Sequence, residues 1–155
     1  GAGLDGALDE LRFYNRELSL SEVQSLSKHN ADVLIGGLGY DSLYGELGDD
    51  IRNGTHAALA GRNELDRLSG GNGRDLFILG DETQAYYRIS GNNDYAVITD
   101  YEENADSVQL HGSVGDYTQQ QQNGHTQLLY ESDLVAVFEN VSSLNLASSS
   151  ISFVG

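Results

Sequence analysis

A chain of 155 residues has the length of one domain, and its formal charge of −16 excludes nucleic acid and, unaided, anionic bilayers as partners. It has no cysteine, which rules out disulfides, thiol catalysis and thiolate metal sites, and no apolar run of the roughly 18 residues that a spanning helix needs. The lack of disulfides is no bar to export, and the first residues do not have the pattern of a signal peptide.

At the N-terminus Leu11 and Phe13 alternate with Glu10, Arg12 and Tyr14, as in a half-buried strand. Ser19-Leu20-Ser21-Glu22 then forms a capping box with Leu18 and Val23 placed as a hydrophobic staple, which predicts a helix over residues 20–28. The stretch from Leu4 to Ser19 resembles the last strand of a concanavalin A-like (laminin G-like) jelly roll. A sandwich needs many more strands than one. The chain is therefore expected to be a piece of a longer protein, with any sugar binding of that domain mostly outside it.

The next segment is repetitive. Gly36-Gly37-Leu38-Gly39-Tyr40-Asp41-Ser42-Leu43-Tyr44 and Gly70-Gly71-Asn72-Gly73-Arg74-Asp75-Leu76-Phe77-Ile78 both fit the nonapeptide G-G-x-G-x-D-x-U-x, with U a large apolar residue. Partial copies in the same frame run over 27–35, 45–53 and 61–69, which sets Asp32, Asp41, Asp50, Asp66 and Asp75 in register. Residues 54–60 (Gly-Thr-His-Ala-Ala-Leu-Ala) interrupt the frame as an insert, and a further partial copy ends at Asp94. Glycine tolerates positive φ and lets carbonyls approach a ligand with no Cβ in the way. After each Asp the chain alternates, so Leu34, Leu43, Leu68 and Phe77 are expected to point inward from short strands. One turn and one short strand cannot bury an apolar face alone, so the units must stack. Phosphate binding is disfavoured, because no Gly-Lys-Ser/Thr ending is present and the Asp residues would repel the ligand.

These repeats resemble the RTX (hemolysin-type) calcium-binding domains of bacterial secreted proteins, in a version common in cyanobacteria, over roughly residues 30–146. The resemblance implies an all-β fold, a right-handed parallel β-roll with two nonapeptides per turn and Ca2+ between stacked turns. It implies side-chain ligands at Asp32, Asp41, Asp50, Asp66, Asp75 and Asp94. Carbonyl ligands would come from Gly36, Gly37, Leu38, Gly39, Gly45, Leu47, Gly48, Gly70, Gly71, Asn72 and Gly73. Asp50 would share one ion with Asp32 and another with Asp75. Two features depart from the pattern. Arg52 stands at an interior position and needs a partner there, and Glu46 and Glu64 replace glycines; Glu64 either adds a carboxylate ligand or abolishes its site. With the degraded copies, the number of sites comes to roughly four.

Beyond the repeats, alternation predicts strands at 95–100, 106–111, 126–131 and 134–139 that close the far end of the roll. The Gln119–Gln122 run reads as a loop tip, and Asp100, Glu102, Glu103 and Asp106 as a solvated acidic loop, with ion binding the alternative. The expected organisation is a residual strand and capping helix at 1–29, the β-roll at 30–101, and a β cap at 102–155 whose Ser-rich apolar end is compatible with a type I secretion signal.

Little points to catalysis. His29, His56, His111 and His125 are scattered with no H-E-x-x-H, no G-x-S-x-G elbow is present, and the Asp pairs read better as ionised ligands than as general acids. The expected function is a nonenzymatic calcium-binding module that folds on binding, uses the type I secretion machinery and acts outside the cell or at its surface within a larger protein. One alternative is a calcium-dependent adhesive or carbohydrate-binding module that meets an extracellular polysaccharide through Tyr40, Tyr44, Tyr86 and Tyr87. The other is the noncatalytic C-terminal part of a secreted hydrolase.

Overall fold

The structure, a computed structural model, describes residues 31–155; the strand expected at 10–14 and the capping helix expected at 20–28 lie outside the described residues. The nonapeptide frame sets the local structure. From residue 36 on, each copy supplies a glycine turn followed by a strand too short to do more than cross one face, and the next turn sends the chain back. The strands are β1 (Val33–Ile35), β2 (Ser42–Tyr44), β3 (Ile51–Asn53), β4 (Leu65–Ser69), β5 (Leu76–Ile78), β6 (Tyr95–Ile98), β7 (Ser107–His111), β8 (Tyr117–Gln122), β9 (His125–Tyr130), β10 (Asp133–Phe138) and β11 (Ile151–Val154). Among the described residues the only helical elements are two single-turn 3-10 segments, Gly91–Asn93 and Val114–Asp116.

The strands form two sheets, in the orders β1-β3-β5-β7-β11 and β2-β4-β6-β10-β9-β8. From β1 to β7 the chain changes sheet at every step, so each strand pairs in parallel with the one two places on. Only the β10–β9 and β9–β8 pairings are antiparallel. Both sheets turn one face to a shared core of Leu68, Phe77, Ile98, Val108, Leu110, Leu128, Val135 and Phe138. Full burial of such a side chain stabilises by about 1.5–3 kcal/mol. The inward positions of the repeats behave as their spacing predicts: Leu68 and Phe77 are fully buried, and Leu34 and Leu43, nearer the start, are half-buried.

The insert at 54–60 forms a turn whose Ala60 carbonyl accepts the Tyr87 amide at 2.6 Å, which ties it to the long connection before β6.

One expectation for the far end is corrected. Gln119–Gln122 is not a loop tip: these residues belong to β8 and pair with β9 from Gln119↔Leu128 to Gln122↔His125. The tip is Asn123-Gly124, with φ of 54° and 85°, a two-residue turn of the kind that closes twisted hairpins. The run carried no apolar alternation because β8 is an edge strand whose glutamines all face solvent. The Ser-rich end also contributes a strand, since β11 pairs in parallel with β7.

Candidate metal site

In the turns 36–41, 45–50 and 70–75 the closing Asp folds back over the first glycine. A Cβ at Gly36, Gly45 or Gly70 would collide with Oδ2 of Asp41, Asp50 or Asp75, and the interrupted turn repeats this with Gly54 and Asp66. The other carboxylate oxygen reaches the neighbouring layer. Asp50 Oδ1 accepts the Asp32 amide at 2.8 Å, Asp75 Oδ1 the Asp50 amide at 3.0 Å, and Asp106 Oδ1 the Asp75 amide at 3.0 Å. On the other flank Asp66 Oδ1 accepts the Asp41 amide at 2.9 Å. The aspartates thus form two rails, and each rung leaves one oxygen, Oδ2, aimed into its own turn.

What meets Oδ2 differs from turn to turn. At Asp50 it is Arg52, whose Nη2 lies 2.8 Å away and also donates to the Gly70 carbonyl at 2.5 Å. Nη1 of the same guanidinium is 3.0 Å from Asp75 Oδ1, and the side chain is fully buried over the Phe77 ring. At Asp66 it is the Tyr87 hydroxyl, which donates at 2.6 Å from a fully buried ring. At Asp41 and Asp75 the buried Oδ2 has no hydrogen-bond partner.

Burial raises the Asp41 carboxyl above its ordinary range, and the charge of Glu64 adds to the shift. Burial pushes Asp66 up to about 6; the Tyr87 hydroxyl and the Asp41 amide lower it, while Glu64 and Asp41 raise it further. Folded Asp66 therefore keeps a proton that the unfolded chain, titrating near 3.8, has released. Its contribution to stability is full below the unfolded value and is lost as pH rises through about 6.

The structure places the expected ligands as follows. Asp32, Asp50 and Asp75 share one rail, and Asp41 and Asp66 the other. Asp94 joins neither: it is fully buried, and its oxygens accept the Ser90 and Asn63 amides. The pairing Leu65↔Tyr95 sets it beside Glu64 rather than Asp66. Glu64 is itself engaged, accepting the Gly39 amide at 3.1 Å and the Thr55 hydroxyl at 2.8 Å. Gly37, Gly39, Gly48, Gly71 and Gly73 all have positive φ, and Glu46 adopts the same hand at 67°. The Gly37 carbonyl accepts the His56 amide and the Asn72 carbonyl the Gly48 amide, while Leu47 bridges Asn72. Leu38 is exposed on its turn.

Sequence reasoning set Asp100 and Asp106 in a solvated acidic loop and Tyr87 among surface platforms. Asp106 is no solvated acid but the end of a rail, and Asp100 accepts the Gly70 and Gly71 amides at 2.8 Å each. Arg52 meets Asp50, Asp75 and the Gly70 carbonyl, while its Nε and Nη1 make no hydrogen bond. Tyr86 and Tyr87 are buried, so of the four tyrosines named as platforms only Tyr40 and Tyr44 are exposed.

No protein-family model and no curated protein matches the chain. Among solved structures it resembles the solution structure of the AlgE6R3 subunit from the Azotobacter vinelandii mannuronan C5-epimerase. The TM-score is 0.54 at 21% identity, over 80% of this chain and 75% of that one. The two share a fold. That likeness concerns the path of the backbone, and the ligand chemistry rests on the turns described above.

Proposed function

We propose that the chain is a calcium-binding RTX module, a right-handed β-roll that folds as its ions bind and supports type I secretion and extracellular stability of a larger protein. The observation that carries this reading is the pair of buried oxygens, Asp41 Oδ2 and Asp75 Oδ2, that lack a hydrogen-bond partner at the ends of the glycine turns. Burying an anionic oxygen with no donor is costly, and a divalent cation offsets that cost. Among the described residues no three histidine or carboxylate side chains gather as a metal-holding group. Most ligands would therefore be turn carbonyls, a donor set that suits calcium and not zinc.

Charge supports the coupling to folding. A chain at −16 repels itself, and each ion neutralises two of those charges. Affinity in the range of extracellular modules, about 0.1–1 mM, would leave the chain unfolded and exportable where calcium is scarce and stapled where it is plentiful. The module has no catalytic role in this reading.

Far-UV circular dichroism after chelator treatment tests the proposal, with magnesium as control. The expected result is a cooperative gain of β signal with calcium alone. A folded spectrum that neither chelator nor calcium changes would overturn it. A second reading, contact with an acidic polysaccharide bridged by calcium, is favoured by the mannuronan named for the structural neighbour and by exposed Tyr40 and Tyr44. It predicts that mannuronan oligomers shift the spectrum or sediment with the protein only when calcium is present.

A further inference from the structure

The four Gly–Asp positions Gly36/Asp41, Gly45/Asp50, Gly54/Asp66 and Gly70/Asp75 are built alike, yet two hold a protein donor on Oδ2 and two hold none. The comparison is sharpest between the first two. The Gly36 amide donates to Asn53 and the Gly45 amide to Ser69, so the residues that follow, Gly54 and Gly70, lie at equivalent places in the next layer. At the Gly45 turn, Asp50 Oδ2 and the Gly70 carbonyl converge on one guanidinium nitrogen. At the Gly36 turn, the corresponding Asp41 Oδ2 and Gly54 carbonyl both crowd the same face of Gly36. The difference comes from the residue two places after the Asp. In β3 it is Arg52, which reaches back across its own strand end; in β2 it is Leu43, which has nothing to donate.

We infer that Arg52 replaces a calcium ion between the turns 45–50 and 70–75, a cation carried by the chain itself. Its guanidinium binds one carboxylate from each turn and one turn carbonyl, the kinds of oxygen that would hold the metal. Tyr87 does the lesser version of this at Asp66, satisfying the oxygen with a neutral hydroxyl. The inference rests on the calcium reading above and divides the module: the Asp41 and Asp75 positions depend on the ion, whereas the Asp50 and Asp66 positions are closed in its absence. Glycine at 45 and 54 is required for the same reason, since a Cβ there would strike the Arg52 guanidinium or the Tyr87 hydroxyl.

The test counts bound calcium by equilibrium dialysis and follows folding in chelator. Arg52→Leu removes the internal cation and is expected to bind one more ion than the wild type and, like it, to fold only with calcium. Leu43→Arg offers the Gly36 turn a guanidinium and is expected to bind one ion fewer. An unchanged count in a folded Arg52→Leu chain overturns the replacement while leaving the calcium reading intact. Should Arg52→Leu fail to fold even with calcium, the reciprocal variant decides, and a wild-type count in Leu43→Arg overturns the inference. A wild type that binds no ion beside an Arg52→Leu variant that binds one would sink the calcium reading and keep the replacement. If neither binds, both fall.

Discussion

Asp75→Ala is expected to destabilise the folded chain by about 3–5 kcal/mol even with calcium present, the range for breaking a buried ion pair from one side. Asp75 is almost fully buried, its Oδ1 accepts the Asp50 amide at 3.0 Å, and the same oxygen lies 3.0 Å from Arg52 Nη1. Its removal strands a backbone donor and half of a buried guanidinium together. Asp75→Asn keeps an acceptor for the amide but loses the charge, so it should fall between the two. Urea denaturation of the three chains checks this; a loss for Asp75→Ala below about 1 kcal/mol, the net value of an ordinary hydrogen bond, would show that the rail does not carry the stack.

Gly73→Ala is expected to cost about 3 kcal/mol or more and to disrupt the turn at 70–75. At φ of 144° an L residue is strained, by roughly 1–3 kcal/mol. The greater obstacle is the neighbouring layer, because the added Cβ would overlap the Gly48 carbonyl, which is backbone and cannot swing aside. That layer is pinned in turn by the Gly48 amide, which donates to the Asn72 carbonyl at 3.0 Å. Gly37→Ala is the control. Its φ of 100° is as awkward, but its Cβ would meet nothing within 4 Å, so only the backbone strain of roughly 1–3 kcal/mol should appear. Equal thermal shifts for the two variants would show that coils are not in close backbone contact at Gly73.

The rails were legible in the sequence because the nine-residue frame is local: the spacing of Asp32, Asp41, Asp50, Asp66 and Asp75 already says which ones stack. What the frame could not carry was anything supplied from outside it. Asp106 ends a rail with no glycine turn of its own, so its acid looked like others in a polar loop. Tyr87 reaches Asp66 from a connection with φ of 58° that no period predicts. Arg52 stood out at once as an offence against the apolar pattern. That its partners are Asp50 two residues back and Asp75 one layer on became visible only with the layers stacked.

The alternation of strands between the two sheets makes the length of this module quantised. Within the repeats rail partners are 18 residues apart where the frame is unbroken and 25 apart wherever the insert intervenes, on both flanks alike, and Asp106 closes its rail 31 residues after Asp75. An insertion inside a turn is therefore absorbed by both rails equally and leaves the handoff between sheets untouched. Loss or gain of a single nonapeptide is another matter, since every later strand would be delivered to the opposite sheet and the strands next to the change would lose the partners they have here. Such an array can grow or shrink only by pairs of repeats, and deletions of one repeat should be far more damaging than deletions of two.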